Sequence, residues 1–408
     1  MFDKNVLEKY ADLVLKVGVN LQQDQGLEIA CSVENAYIAE IFTKQAYVHG
    51  AKIVRIRWAS ENIEKLNYAY AKTSVLTDIP KWFVDSKEYL VDNGFCYIAI
   101  DSDDPFAFKD VPADKLSAVR KARSNLLKNF SESVMSNAIR WCVVSLPSKA
   151  WAQMVFPNED NPEQKLFEEI IKTMRLDSEN PVEEWQKHIS TLQRRANYLN
   201  ENNFEYLYFC NSLGTDIKVG LAKNHFWLSA EETAKDGVKF VANIPTEEIF
   251  TAPHKDKING VVYSALPLSL DGKIVDEFSL TFKDGKVVDF SAKTGYDTLK
   301  ELIATDEGTL SLGEVALIGK NSPIAKSGIL FYNTLFDENA SCHLALGKGY
   351  PTTIKGGESL TTDQLKELGV NDSVEHIDFM IGTPDLQVYG IKPNGEKVTL
   401  FVDGEWII

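Results

Sequence analysis

Long apolar runs are missing from this 408-residue sequence. No stretch approaches the roughly eighteen uninterrupted apolar residues of a membrane-spanning helix, so no membrane partner is expected. The opening MFDKNVLEKYADLV carries acidic residues in an amphipathic pattern, where an export signal would set a basic segment before an apolar one. A cytoplasmic location is the resulting expectation. Cysteine is sparse and scattered: Cys31, Cys96, Cys142, Cys210 and Cys342 contain no CxxC pair, and most sit in apolar runs such as Arg140-Trp-Cys-Val-Val-Ser-Leu146. That usage predicts reduced, mostly buried thiols and argues against a disulfide framework or a thiolate zinc knot. Positive charge is in deficit, with 43 Lys and Arg against 59 Asp and Glu and a formal charge of -16. Phosphate backbones need compensating cations, so nucleic acid is not an expected partner. Neither GxGxxG nor GxxxxGK[ST] occurs, which leaves the common nucleotide cradles unsupported.

What is present is an ordinary folded composition, 44% hydrophobic and 25% charged. The length points to two domains. Val6, Leu7, Tyr10, Leu13, Val14 and Val17 recur at helical spacing over Lys4 to Val17, and a second helix is expected from Val33 to Ala46. Lys52 to Trp58, Phe95 to Ile100 and Arg140 to Leu146 read as strands, with helices over Ser60 to Tyr70 and Asp114 to Phe130 between them. Strands alternating with helices predict an α/β domain with a partly parallel sheet over residues 1–200. Pro162 to Tyr198 is expected to be helical, broken at Pro181.

After Asn202 the texture changes to short strands, Phe204 to Cys210, Asp216 to Leu221, Gly260 to Leu268, Lys273 to Phe282 and Lys286 to Ala292. Asp271-Gly272 and Asp284-Gly285 are hairpin signals, and a last ribbon is expected around Asp403-Gly404. Thr294 with Asp297 three residues on reads as a helix start with a capping box. Residues 201–408 are therefore expected to form an α+β domain.

Only six histidines occur, so each can be weighed by its company. His376 and Asp378 are two apart, and on a strand they present a nitrogen and an oxygen to the same side; a solvated strand face would carry the same pattern. His343, inside Ser341-Cys-His-Leu-Ala-Leu-Gly347, is expected to be enclosed, bonded to a backbone carbonyl or to a metal. Glu247 and Glu248 lie between prolines beside apolar residues, and Glu314 precedes an apolar strand; a surface position is open to each. Imidazoles and carboxylates without thiolates suit Zn(II), Co(II) or Mn(II), and four or five such ligands around two ions leave room for an activated water. His225 and His254 read as structural or peripheral, and His49 and His188 as facing solvent.

Asn243-Ile-Pro-Thr-Glu-Glu-Ile-Phe-Thr-Ala-Pro-His254, Glu314, Asp337-Glu-Asn-Ala-Ser-Cys-His-Leu-Ala-Leu-Gly347, Tyr350 and His376-Ile-Asp378 together resemble, in order and spacing, the thermophilic metalloaminopeptidase family of aminopeptidases T, S and PepS. The resemblance spans the chain, including Gly214-Thr-Asp-Ile-Lys-Val-Gly-Leu221. It implies two divalent ions, Zn, Co, Mn or Mg, held by Glu248, Glu314, His343, His376 and Asp378, with Glu314 bridging and Glu248 preferred over Glu247. It also implies that Tyr350 donates to the oxyanion and that Glu338 acts as general base or orients a ligand. A homodimer acting on short peptides with free N-termini follows, with the α/β domain, residues 1–200, restricting access. Two rival readings share the ligand set: a dipeptidase or amidase, and a non-catalytic metal-binding protein.

Overall fold

The computed structural model describes residues 2–270 and 273–408. The chain divides into two compact units, Met1–Lys187 with Glu231–Pro245, and His188–Ala230 with Thr246–Ile408.

The first unit is built on a parallel sheet of four strands, in the order Ile53–Ala59, Gly26–Ser32, Cys96–Asp101, Trp141–Ser145. Its two central strands bury Leu27, Ile29 and Ile98, and Trp141–Ser145 buries Val144, while the edge strand Ile53–Ala59 exposes Ile53 and Trp58; Gly26–Ser32 is a strand that the sequence reading did not include. Parallel strands need crossovers, and helices such as Ala36–Val48 and Lys81–Asp92 supply them. The sheet is extended on the Trp141–Ser145 side by Asn243, which pairs in parallel with Val143. Two helices differ from expectation. Lys4–Leu13 passes into a π-helical turn, Val14–Gly18, rather than running on as one α-helix; a side chain at Gly18 would strike Cys142, so the turn sits directly against the sheet. The expected helix over Asp114 to Phe130 is two, Ala113–Leu126 and Lys128–Met135. No helix among the described residues is long and apolar enough to cross a membrane. All five cysteines are free thiols, four buried and Cys210 half-buried.

In the second unit, the described residues form a nine-stranded antiparallel sheet that includes Tyr206–Cys210, Asp216–Leu221, Pro253–Tyr263 and Lys273–Lys283. Its Asp284-Gly285 hairpin has both residues at positive φ, 49° and 86°, the backbone that this dipeptide favours. The Asp271-Gly272 hairpin lies outside the described residues. The capping box at Thr294 does not form: Thr294 ends a strand, and Gly295, left-handed at φ 73°, is the residue before helix Tyr296–Ile303. A turn that reverses tightly from strand to helix needs the left-handed backbone, which only glycine adopts without cost.

A second sheet of this unit runs His376–Met380, His343–Gly347, Leu312–Leu317, Ile249–Thr251, all antiparallel. One face is apolar: Ile249, Val315, Leu317, Leu344, Leu346 and Phe379 are buried, and Phe379 packs on Phe278 of the larger sheet at 5.7 Å between ring centres. The other face carries the polar cluster described below. Register there depends on two glycines. Gly313 sits at a bulge between the Leu312 and Glu314 pairings, where a Cβ would meet the carbonyls of Gly347 and Lys348. Gly347 has φ 105°, and a Cβ on it would meet the Glu375 carbonyl. Gly347→Ala is therefore expected to lower the unfolding free energy of the metal-free protein by about 2 kcal/mol; an unchanged denaturation midpoint would contradict the strain assigned to this position.

Candidate metal centre

Strand pairing brings the predicted side chains together. Glu314, Ala345 and Asp378 lie opposite one another across three strands, and so do Phe250, Ala316 and His343 in the neighbouring row. His376 pairs with Gly347 in the row beyond. Opposed residues share a face and residues two apart on a strand share it too. Glu314, His343, His376 and Asp378 therefore project to the same side, and Glu248, two before Phe250, joins them. Of the other paired residues on that side, Phe250 and Met380 on the two edge strands are large, whereas Ala316, Ala345 and Gly347 on the two middle strands are small. Ridges of ligand-type side chains thus surround a floor of hydrogens and methyl groups, which leaves volume where the polar atoms converge.

The convergence is close. His343 Nε2 is 3.3 Å from a Glu248 oxygen and 3.3 Å from Glu314 Oε1. His376 Nε2 is 3.3 Å from Asp378 Oδ1 and 3.8 Å from Glu314 Oε2. The two oxygens of Glu314 thus face two different imidazoles, dividing the cluster into Glu248, Glu314, His343 and Glu314, His376, Asp378. Both rings are oriented from behind: His376 Nδ1 donates to the Lys348 carbonyl at 2.6 Å, and His343 Nδ1 donates to the Ser341 carbonyl at 3.3 Å. A carbonyl only accepts, so in each neutral ring the hydrogen is on Nδ1 and the Nε2 lone pair points into the cluster. Asn371, buried, holds the supporting turn by donating to the Gly308 and Gly347 carbonyls at 2.8 and 2.6 Å.

Electrostatics mark the same place. Burial, aggravated by the charges of Glu248 and Asp378, pushes the Glu314 carboxyl up to about 7 despite the hydrogen bond from His343. Burial would push both histidines down, but the carboxylates reverse the sign: Glu248 and Glu314 hold His343 well above its usual value, and Asp378 holds His376 at about 9. Burial, then Glu248 and Asp378, pushes Glu338 far up. Tyr350 is raised in the same way by burial, then by Glu314 and Asp378; its ring lies 4.7 Å from that of His376. Asp378 is the exception, kept low against burial by His376.

The donor set fits divalent ions. Ligands of a tetrahedral ion with bonds of about 2.1 Å stand about 3.4 Å apart, close to the 3.3 Å contacts within each group. Asp378 Oδ1 is buried without a hydrogen bond, although His376 approaches it. A group that makes no hydrogen bond and has lost its water is costly unless a cation completes it.

Other candidates lie elsewhere. Glu247 points away from the cluster, within 3.6 Å of His188, so the pair Glu247-Glu248 diverges in the segment just before strand Ile249–Thr251. His188 is not solvent-facing: its side chain is 11% exposed, and Nε2 donates to the Thr246 carbonyl at 2.8 Å. The sequence carried that signal, since His188 falls on the helical stripe of Trp185, Leu192, Ala196 and Leu199, all buried. His49 is also partly covered and pairs with Asp12 at 2.7 Å. His225 is buried and bonded to the Ala222 carbonyl, and His254 accepts from the Asp256 N–H. The small residues Ala316, Ala345 and Gly347, and the amide of Asn339, were not singled out by sequence reasoning. No local pattern distinguishes a small residue beneath a metal from one in a core.

Comparison with known proteins agrees with this chemistry. The family profile described as thermophilic metalloprotease (M29) matches residues 3–406. The chain is 41% identical over 402 residues to aminopeptidase 2 of Geobacillus stearothermophilus, covering 98% of this chain and 97% of that protein. It is 40% identical over 402 residues to aminopeptidase AmpS of Bacillus subtilis (strain 168), covering 98% of each. Its fold is similar to the structure of wild-type AmpT from Thermus thermophilus, with a TM-score of 0.93 at 32% identity over 99% of this chain and 100% of that one.

Because Ala345 lies between Glu314 and Asp378, Ala345→Leu is expected to fill the space where their oxygens meet. Metal retained after gel filtration, read by elemental analysis, should fall at least about tenfold. Retention of a full complement would mean that the ligands converge somewhere other than above this residue.

Proposed function

We propose that this chain, which belongs to the thermophilic metalloprotease (M29) family, is a metal-dependent aminopeptidase with two ions, one at Glu248, Glu314 and His343 and the other at Glu314, His376 and Asp378. The observation that carries the reading is Glu314, whose two oxygens face two separate imidazoles 3.3 and 3.8 Å away. A carboxylate placed in that way would offer one oxygen to each of two ions. Divalent ions there would supply Lewis-acid polarisation of the scissile carbonyl and a water acidic enough to react near neutral pH.

The protein's own groups do the rest. Glu338 is buried among these carboxylates, which favour its protonated form in the metal-free protein; with divalent ions offsetting their charge it would be suited to take a proton from the attacking water and pass it to the departing amine. Burial and the same carboxylates favour the neutral phenol of Tyr350, so its O–H can donate to the oxygen on which negative charge develops.

Zn, Co or Mn suits these nitrogen and oxygen donors, and Mg is added by the resemblance to the family. Short peptides as substrates, a homodimer, a cytoplasmic location and restriction of access by a domain of residues 1–200 belong to the same proposal; they are supported by the resemblance in motif and by the similarity to proteins named as aminopeptidases.

Leucine or arginine anilides should be hydrolysed, the activity lost on treatment with a chelator and restored by Zn(II) or Co(II). His343→Ala and Asp378→Ala should each reduce kcat/KM by about a hundredfold or more, with the far-ultraviolet dichroism of the folded chain retained. Turnover of blocked amides with none of free-amine substrates would instead identify an amidase, and near-normal activity of either variant would remove that residue from the site.

A further inference from the structure

Asn339 is fully buried, at 0% exposure, in the single turn Glu338–Ala340 that leads from helix Thr334–Asp337 towards strand His343–Gly347. Its Oδ1 accepts the N–H of Glu247 at 2.7 Å, while its Nδ2 donates to the Leu335 carbonyl at 3.1 Å and to Glu338 Oε1 at 3.4 Å. An amide offers one accepting oxygen and two N–H donors. All three are used here, and rotating the group by a half turn would set a donor against the Glu247 N–H. The orientation is therefore fixed by its partners.

The two segments so joined are distant in sequence and adjacent in chemistry. Glu247 is the residue before Glu248, one of the candidate ligands, and Glu338 is the candidate proton carrier. On the far side of Glu247 the chain is held again, by the His188 ring N–H on the Thr246 carbonyl at 2.8 Å. Side chains of other types would not serve. Aspartate would replace donation to Glu338 with repulsion, and leucine, of similar shape, would leave the buried Glu247 N–H without its acceptor.

Resting on the metallopeptidase reading above, we infer that Asn339 is a positioning residue: it sets Glu338 relative to Glu248, and so relative to the ions and the attacking water, without touching either. The two halves of the amide have separable tasks. Its oxygen secures the segment that aims Glu248, and its nitrogen secures the carboxyl of Glu338.

Asn339→Asp and Asn339→Leu separate them. Asn339→Asp keeps the acceptor, so Co(II) affinity, read from the visible absorption of the titrated apoprotein, should stay within about threefold of the parent. Its kcat should fall about tenfold or more with KM changed less than about threefold, because substrate binding is not what is lost. Asn339→Leu should lose both, with Co(II) binding weakened about tenfold or more. A kcat for Asn339→Asp within twofold of the parent, or unchanged Co(II) affinity in Asn339→Leu, overturns the inference. Asn339→Ser, which is smaller and reaches neither partner, is held to the limits set for Asn339→Leu if that variant fails to fold, and in place of a misfolded Asn339→Asp it must still show the tenfold loss of kcat. Absence of turnover by the parent on every free-amine substrate would defeat the functional reading instead, and the Co(II) titration would still decide the placement of Glu248.

Discussion

Three carboxylates, Glu248, Glu314 and Asp378, crowd one face of a small sheet with a fourth, Glu338, close enough to feel their charge. Like charges withdrawn from water repel strongly, because the medium that would screen them is gone. Everything else about this part of the molecule answers that repulsion. The imidazoles become more basic than in solution, the Glu314 and Glu338 carboxyls hold protons longer, and the donors are spaced as cations would have them. A metal-free protein carries this stress as a stability cost, whereas metal binding converts it into affinity.

The means of holding the groups is the antiparallel ladder. Its alternation sets the ligand side chains on one face and most of the apolar ones on the other, so the same strands that present ligands also bury Val315, Leu344 and Phe379. Anchoring by the core fixes donor positions more tightly than loops would. The backbone contributes twice, first through register, which fixes which residues stand opposite, and again through the carbonyls of Ser341 and Lys348, which turn the rings. Such outer bonds raise the basicity of the ligand nitrogen as well as orienting it.

Much of this was legible in the sequence where chemistry and periodicity coincide. The His376-Ile-Asp378 alternation is a strand with both polar residues on one face, and His343 is enclosed and bonded to a backbone carbonyl, with its other nitrogen facing carboxylates. Asp284-Gly285 forms its hairpin for the stereochemical reason the dipeptide suggests. Less legible were features that depend on a partner far along the chain. His188 looks like one polar residue on a long helix until its stripe is followed, and Asn339 looks like a motif filler until Glu247 arrives beside it. Thr294 had the residue types of a cap, but the turn required the backbone freedom of Gly295 next to it. Local preference yielded to the path the chain had to take.

The order of strands in the small sheet carries a temporal consequence. Neighbouring strands are separated along the chain by long excursions, and the edge bearing His376 and Asp378 is near the C-terminal end. Closing such large loops is entropically slow, so contact order places this sheet among the late events of folding. During synthesis, a chain still lacking its last ligand strand would display an incomplete set of donors. Full chelation, and with it any hydrolytic competence, would be deferred until strand His376–Met380 has left the ribosome.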